Sequence, residues 1–152
     1  YDRGLIITVI PGDPAEISSI ETVPTTTDGT PNVDYISTHD IATGMWLVSV
    51  DGDYALQQVY VYDLYSSTIY MDSNFSIGLS RNNKWTPIHR GLSKDYVKLA
   101  VDWVNHNIYW TDPQYKWIAV QSLAGQDTSM FRVLIDDNLE APHALALDPL
   151  EA

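Results

Sequence analysis

The chain contains a copy of itself. YVYDLYSSTIYMDSN (Tyr60–Asn74) can be set beside LAVDWVNHNIYWTDPQ (Leu99–Gln114): apolar residues, an Asp, a short polar turn, then Ile-Tyr followed closely by another Asp. In this alignment Asp63 matches Asp102, and Ile69-Tyr70 matches Ile108-Tyr109. A further copy opens at HALALDPLEA, where Asp148 takes the same place. The matching acids lie 39 and 46 residues apart, spacings that bracket the period of about 40 to 45 residues of a four-stranded propeller blade.

The clearest unit reads strand by strand as short apolar or alternating runs bounded by turn residues. Val97–Trp103, Asn107–Thr111, Lys116–Leu123 and Met130–Ile135 are its four strands, with turns at Val104-Asn105-His106, Pro113-Gln114 and Ala124-Gly125-Gln126. Upstream, Leu5–Ile10 and Glu16–Val23 read as the second and third strands of an earlier blade, joined by the turn PGDP, and Pro24–Asn32 reads as a loop. One small sheet buries too little to stand alone, so the copies must stack in series. Radial stacking of four-stranded sheets gives an all-β propeller. The expected division is 1–50 for a degenerate first blade and loop, 51–96 for a degenerate second blade, 97–141 for the well-formed one, and 142–152 for the first strand of the next.

Composition narrows the function. Of 152 residues 45% are hydrophobic, enough for one globular core. Eight basic residues against twenty acidic ones give a formal net charge of −12, which repels nucleic acid and anionic lipid and suits cationic ligands. No apolar run reaches the length of a membrane span. There is no cysteine, so the sequence offers neither a disulfide framework nor a thiolate metal site. The chain opens on Tyr1 and stops at Ala152 within a repeat, which points to a piece of something longer.

NIYWTD (Asn107–Asp112), with AVDW before it and KWIAVQSLAG after it, resembles the YWTD propeller of the low-density lipoprotein receptor family. Ile118, Leu123 and Gly125 follow that family's repeat, and PHALALDP resembles the opening of its next blade. The Tyr60–Leu92 copy is degenerate, with IYMDS in place of IYWTD. The resemblance implies part of a six-bladed ring, an extracellular location and flanking EGF-like modules. It also implies binding of protein or peptide ligands, by an endocytic or signalling receptor or by a matrix protein of the nidogen kind, and it implies no enzymatic activity and no cofactor.

The acids at repeated positions, Asp63, Asp102, Asp112 and Asp148, read as structural hydrogen-bond acceptors, because a buried carboxylate must be paired. Tyr70, Tyr109 and Trp110 read as filling between blades. Asp51-Gly52-Asp53 and Asp136-Asp137 lack the ligand pattern of a calcium loop and read as a tight turn and a solvated edge. No nucleophile elbow is present, and a propeller hydrolase is the least favoured reading. Loops after second strands and before first strands share a face of the ring. That face is expected to carry Tyr96, Tyr115 and His143 as ligand contacts, since interface hot spots favour aromatic residues, with His143 as a candidate acid sensor. It is also expected to carry Asn74, whose triplet Asn74-Phe75-Ser76 is the only glycosylation acceptor in the chain, while His106 falls on the opposite face.

Overall fold

The computed structural model describes residues 4–10, 16–23, 32–40, 44–53, 56–73, 84–124 and 130–150, with the backbone alone for those before 44. They form eleven strands in three antiparallel sheets. The first sheet holds β1 (Gly4–Ile10), β2 (Glu16–Val23) and β3 (Asn32–Asp40). The second holds β4 (Leu47–Asp53), β5 (Gln58–Asp63), β6 (Thr68–Asp72) and β7 (Thr86–Arg90). The third holds β8 (Lys98–Asp102), β9 (Asn107–Asp112), β10 (Trp117–Ser122) and β11 (Phe131–Ile135). Each sheet is an up-and-down meander, and β1, β4 and β8 lie side by side. The architecture is that of a partial propeller with the first strand of each blade innermost. No described helix is long and apolar enough to cross a membrane.

The four strands of the third sheet match their sequence-based ranges to within a residue or two. The alignment between copies does not hold. β5, carrying Asp63, is the second strand of its sheet, so QVYVYD (Gln58–Asp63) is the counterpart of NIYWTD, and Asp63 corresponds to Asp112 rather than Asp102. Tyr70 corresponds to Ala119, and Tyr60 to Tyr109. Both pairs of acids, Asp53 with Asp102 and Asp63 with Asp112, are 49 residues apart. The backbone agrees independently: the left-handed residues Gln57 (φ 53°) and Ser67 (φ 53°) lie just before β5 and β6, and His106 (φ 53°) and Lys116 (φ 60°) just before β9 and β10. The motif spacing misleads because Asp follows an apolar run at the ends of both the first and the second strands, so a slip by one strand still aligns an acid with an acid.

Three further expectations change with it. Asp51-Gly52-Asp53 is the end of β4 and not a turn. β1 lies beside β4, so Leu5–Ile10 and Glu16–Val23 belong to first and second strands. Residues 142–148 make no ladder pairing among the described residues and run into a turn at Pro149-Leu150, where Asp148 Oδ1 accepts the N–H of Leu150 at 3.2 Å; a strand needs a neighbour to satisfy its backbone. The PGDP turn, the loop at 24–31, Gly125 and Asn74 lie outside the described residues.

Alternation along the strands explains the core. Tyr60, Tyr62 and Ile69 of the second sheet meet Leu99, Ile108 and Trp110 of the third, all essentially without exposure. The other face of the second sheet buries Leu47, Val59 and Val61. Edges are managed by side chains. β8 borders β4 without ladder pairing, and its N–H groups at Leu99 and Val101 are taken by Ser49 Oγ at 3.0 Å and Asp51 Oδ2 at 2.7 Å, which removes two orphan donors from an inner edge.

Candidate functional site

The second-strand acids build the upper face. Asp112 is fully buried; Oδ1 accepts the N–H of Tyr115 at 3.0 Å, closing the β9–β10 turn, and Oδ2 accepts the N–H of Ser93 at 2.9 Å, fixing the connection into β8. Asp63 repeats the arrangement with Tyr65 N–H at 3.2 Å and Ser66 N–H at 3.1 Å in its own turn, and Trp46 N–H at 2.7 Å before β4. Each carboxylate therefore ties a second strand to the chain entering its own blade. The Tyr62 hydroxyl donates to Ser93 O across the seam, and burial, with smaller contributions from nearby carboxylates, pushes it up to about 12.

These ties present aromatic residues on one side of the molecule. Tyr65 packs on Trp46 with ring centroids 5.7 Å apart, and Tyr115 on Trp117 at 5.0 Å. Tyr65, Tyr96 and Tyr115 are exposed. Tyr96 sits in the β7–β8 connection, its N–H on Asp95 Oδ1 at 2.7 Å. His143 is exposed in the segment after β11 that makes no ladder pairing. Trp46 and Tyr65 were not singled out from sequence; their signal was the second copy of the motif, hidden by the one-strand slip.

The lower face carries the first-strand acids and the turns that follow them. Burial raises the Asp102 carboxyl, but hydrogen bonds from Asn105 and Val104 and the field of His106 outweigh it and hold the group below the usual carboxylate range. Asp53, buried at the end of β4, approaches His106 Nδ1 at 4.0 Å. Between the second and third sheets here lies a cleft of about 230 Å³. Tyr60 lines it and is pushed up to about 12, first by burial and then by the charge of Asp53. On β4, Asp51 is raised by burial despite the N–H groups of Val101 and Gly52. No group of three or more His, Asp or Glu placed to hold a metal ion occurs among the described residues.

Comparison with known proteins agrees with this geometry. The low-density lipoprotein receptor repeat class B matches residues 106–149, beginning in the β8–β9 turn and running past β11. Residues 106–149, the third sheet from the β8–β9 turn onward and the segment after it, are thus similar to a YWTD blade of the low-density lipoprotein receptor family. Low-density lipoprotein receptor-related protein 5 of Mus musculus is 43% identical over 51 residues, which make up 34% of this chain and 3% of that protein. A chain in the crystal structure of a nidogen/laminin complex superposes on 97% of this one with a TM-score of 0.71 and 22% identity, and shares the fold. This chain spans about half of that chain, 51%. In these terms Trp110, the Trp of the motif, is 1% exposed and fills the seam between two blades, whereas Tyr109 is half-buried on the other side of the same sheet.

Proposed function

We propose that this YWTD propeller is an extracellular module that binds protein or peptide ligands, as part of a low-density lipoprotein receptor-like endocytic or signalling receptor. The observation that carries the reading is the set of exposed tyrosines, Tyr65, Tyr96 and Tyr115, that two successive blades contribute to one face. Tyrosine supplies a large amphipathic contact area at low side-chain entropy cost, which is why it is enriched at binding hot spots. The bases of two of these rings are fixed by stacking on Trp46 and Trp117, so little order is left to be imposed on binding.

A matrix-binding role is the second reading, favoured by the fold shared with a chain of the nidogen/laminin complex. Enzymatic activity is not part of either. Peptides selected on the chain from a phage-displayed random library test the first reading: their binding should fall by at least about ten-fold in a Tyr96→Ala/Tyr115→Ala variant. Peptides that bind the variant undiminished would refute it. Laminin immobilised on a sensor surface and retaining the chain would favour the second.

A further inference from the structure

The ends of β4 and β8 carry the same carboxylate in different surroundings. Asp102 uses both oxygens: Oδ1 accepts the N–H groups of Val104 at 3.1 Å and Asn105 at 2.9 Å, and Oδ2 accepts Asn105 Nδ2 at 2.8 Å. Asp53, its counterpart one blade earlier, has Oδ1 on the N–H of Leu56 at 3.0 Å. Leu56 stands where Asn105 stands in the next blade and has no amide to offer. Among the described residues no donor lies within hydrogen-bond distance of Asp53 Oδ2, and His106 Nδ1 stands 4.0 Å away. Asp53 is only 4% exposed. A carboxylate so little exposed gains from a second donor, and Asp53 belongs to the wall of the lower cleft.

The rest of the cleft suits one class of occupant. Leu56, Val101 and Leu123 form apolar walls. The Tyr60 hydroxyl donates to Gln58 Oε1 at 2.8 Å, which leaves its oxygen free to accept. The second acid, Asp102, adds negative potential, and the whole chain carries a formal charge of −12. An acceptor-only oxygen in a negative field beside apolar walls matches a donor-only head on an aliphatic stem, the make-up of lysine and arginine side chains. His106, nearly half exposed at 46%, can swing aside.

We propose that this cleft binds the cationic end of a lysine or arginine side chain from a protein partner, with Asp53 Oδ2 as its counter-ion and Leu56 and Leu123 against its stem. The site is on the opposite side from Tyr96 and Tyr115, so it stands or falls separately from the upper-face reading.

The test is a nuclear magnetic resonance titration of the ¹⁵N-labelled chain with the capped tripeptides Ac-Gly-Arg-Gly-NH₂ and Ac-Gly-Lys-Gly-NH₂, and with the norleucine analogue as the uncharged control. At least one cationic peptide should shift the amides of Leu56, His106 and Leu123 saturably, the control should not, and the tighter of the two cations names the head group. Leu56→Asn copies Asn105 and gives Asp53 an internal donor, so it should weaken binding by at least about ten-fold without lowering the melting temperature. Asp53→Asn should weaken it similarly while keeping an acceptor for Leu56 N–H. The absence of saturable shifts with both cations, equal shifts with norleucine, or undiminished binding by Leu56→Asn would overturn the proposal. Peptides selected on the upper face should bind all of these variants as they bind the parent.

Discussion

His89 of β7 and Trp110 of β9 stack across the seam between two blades, ring centroids 4.8 Å apart, and Phe131 closes edge-on over the imidazole at 4.7 Å. Gln121 fixes the tautomer. Its amide nitrogen donates to Ile88 O at 3.2 Å, so its Oε1 accepts from His89 Nδ1–H at 2.9 Å. Burial lowers the His89 pKa from its ordinary 6.5, more than the hydrogen bond to Gln121 raises it.

A histidine lowered in the folded state binds protons more readily when unfolded. Its contribution to stability is therefore complete above pH 6.5 and is lost as the pH falls below that value toward the folded pKa. Denaturation midpoints measured between pH 7.5 and 5 should fall on acidification, with a shallower slope in His89→Phe. Equal slopes would show that His89 does not couple the seam to pH.

Asp112 should be sensitive to charge as well as to size. Asp112→Ala removes the acceptors of both Ser93 and Tyr115 N–H and is expected to cost about 3–6 kcal/mol, hydrogen bonds to a charged group being worth about 1.5–3 kcal/mol each. Asp112→Asn keeps one acceptor and should cost about half as much. Urea unfolding followed by tryptophan fluorescence would measure both.

Trp110 and Tyr109 are adjacent in the motif but face opposite sides of β9. Replacing the fully buried indole by Ala should destabilise by about 3–5 kcal/mol through lost packing and a cavity in the seam. Tyr109→Ala, at a half-buried position, should cost less than half of that. Comparable losses for the two would mean that the inter-blade packing is not as described.

Asp51 offers a substitution that separates hydrogen bonding from charge. Its carboxyl is raised by burial, so the charge is disfavoured where it sits even though Oδ2 serves Val101 N–H. Asp51→Asn retains an acceptor and drops the desolvated charge, and should change stability by less than about 1 kcal/mol at pH 7. Asp51→Ala leaves the Val101 donor unpaired and should lose about 1–3 kcal/mol. Because the folded pKa is above the ordinary 3.8, the penalty is absent below that pH and grows as the pH rises through the folded value. The stability gap between Asn and the parent should therefore close near pH 3.8.

The strand pattern, the turns and the propeller architecture were set by local sequence, because alternation of apolar residues and the acids at strand ends are short-range signals that each blade carries alone. NIYWTD announces a buried indole and a capping carboxylate without reference to anything distant in the chain. The blade in which β5 belongs was not set this way: QVYVYD and TIYMD both resemble the motif, and only ladder pairing with β4 makes the former the second strand. The side-chain caps from Ser49 and Asp51 onto β8, the stack of His89 on Trp110, and the bare oxygen of Asp53 beside His106 are also decisions of tertiary structure. Each joins residues from neighbouring blades, and the free energy of such a contact depends on how two sheets pack, which no single strand encodes.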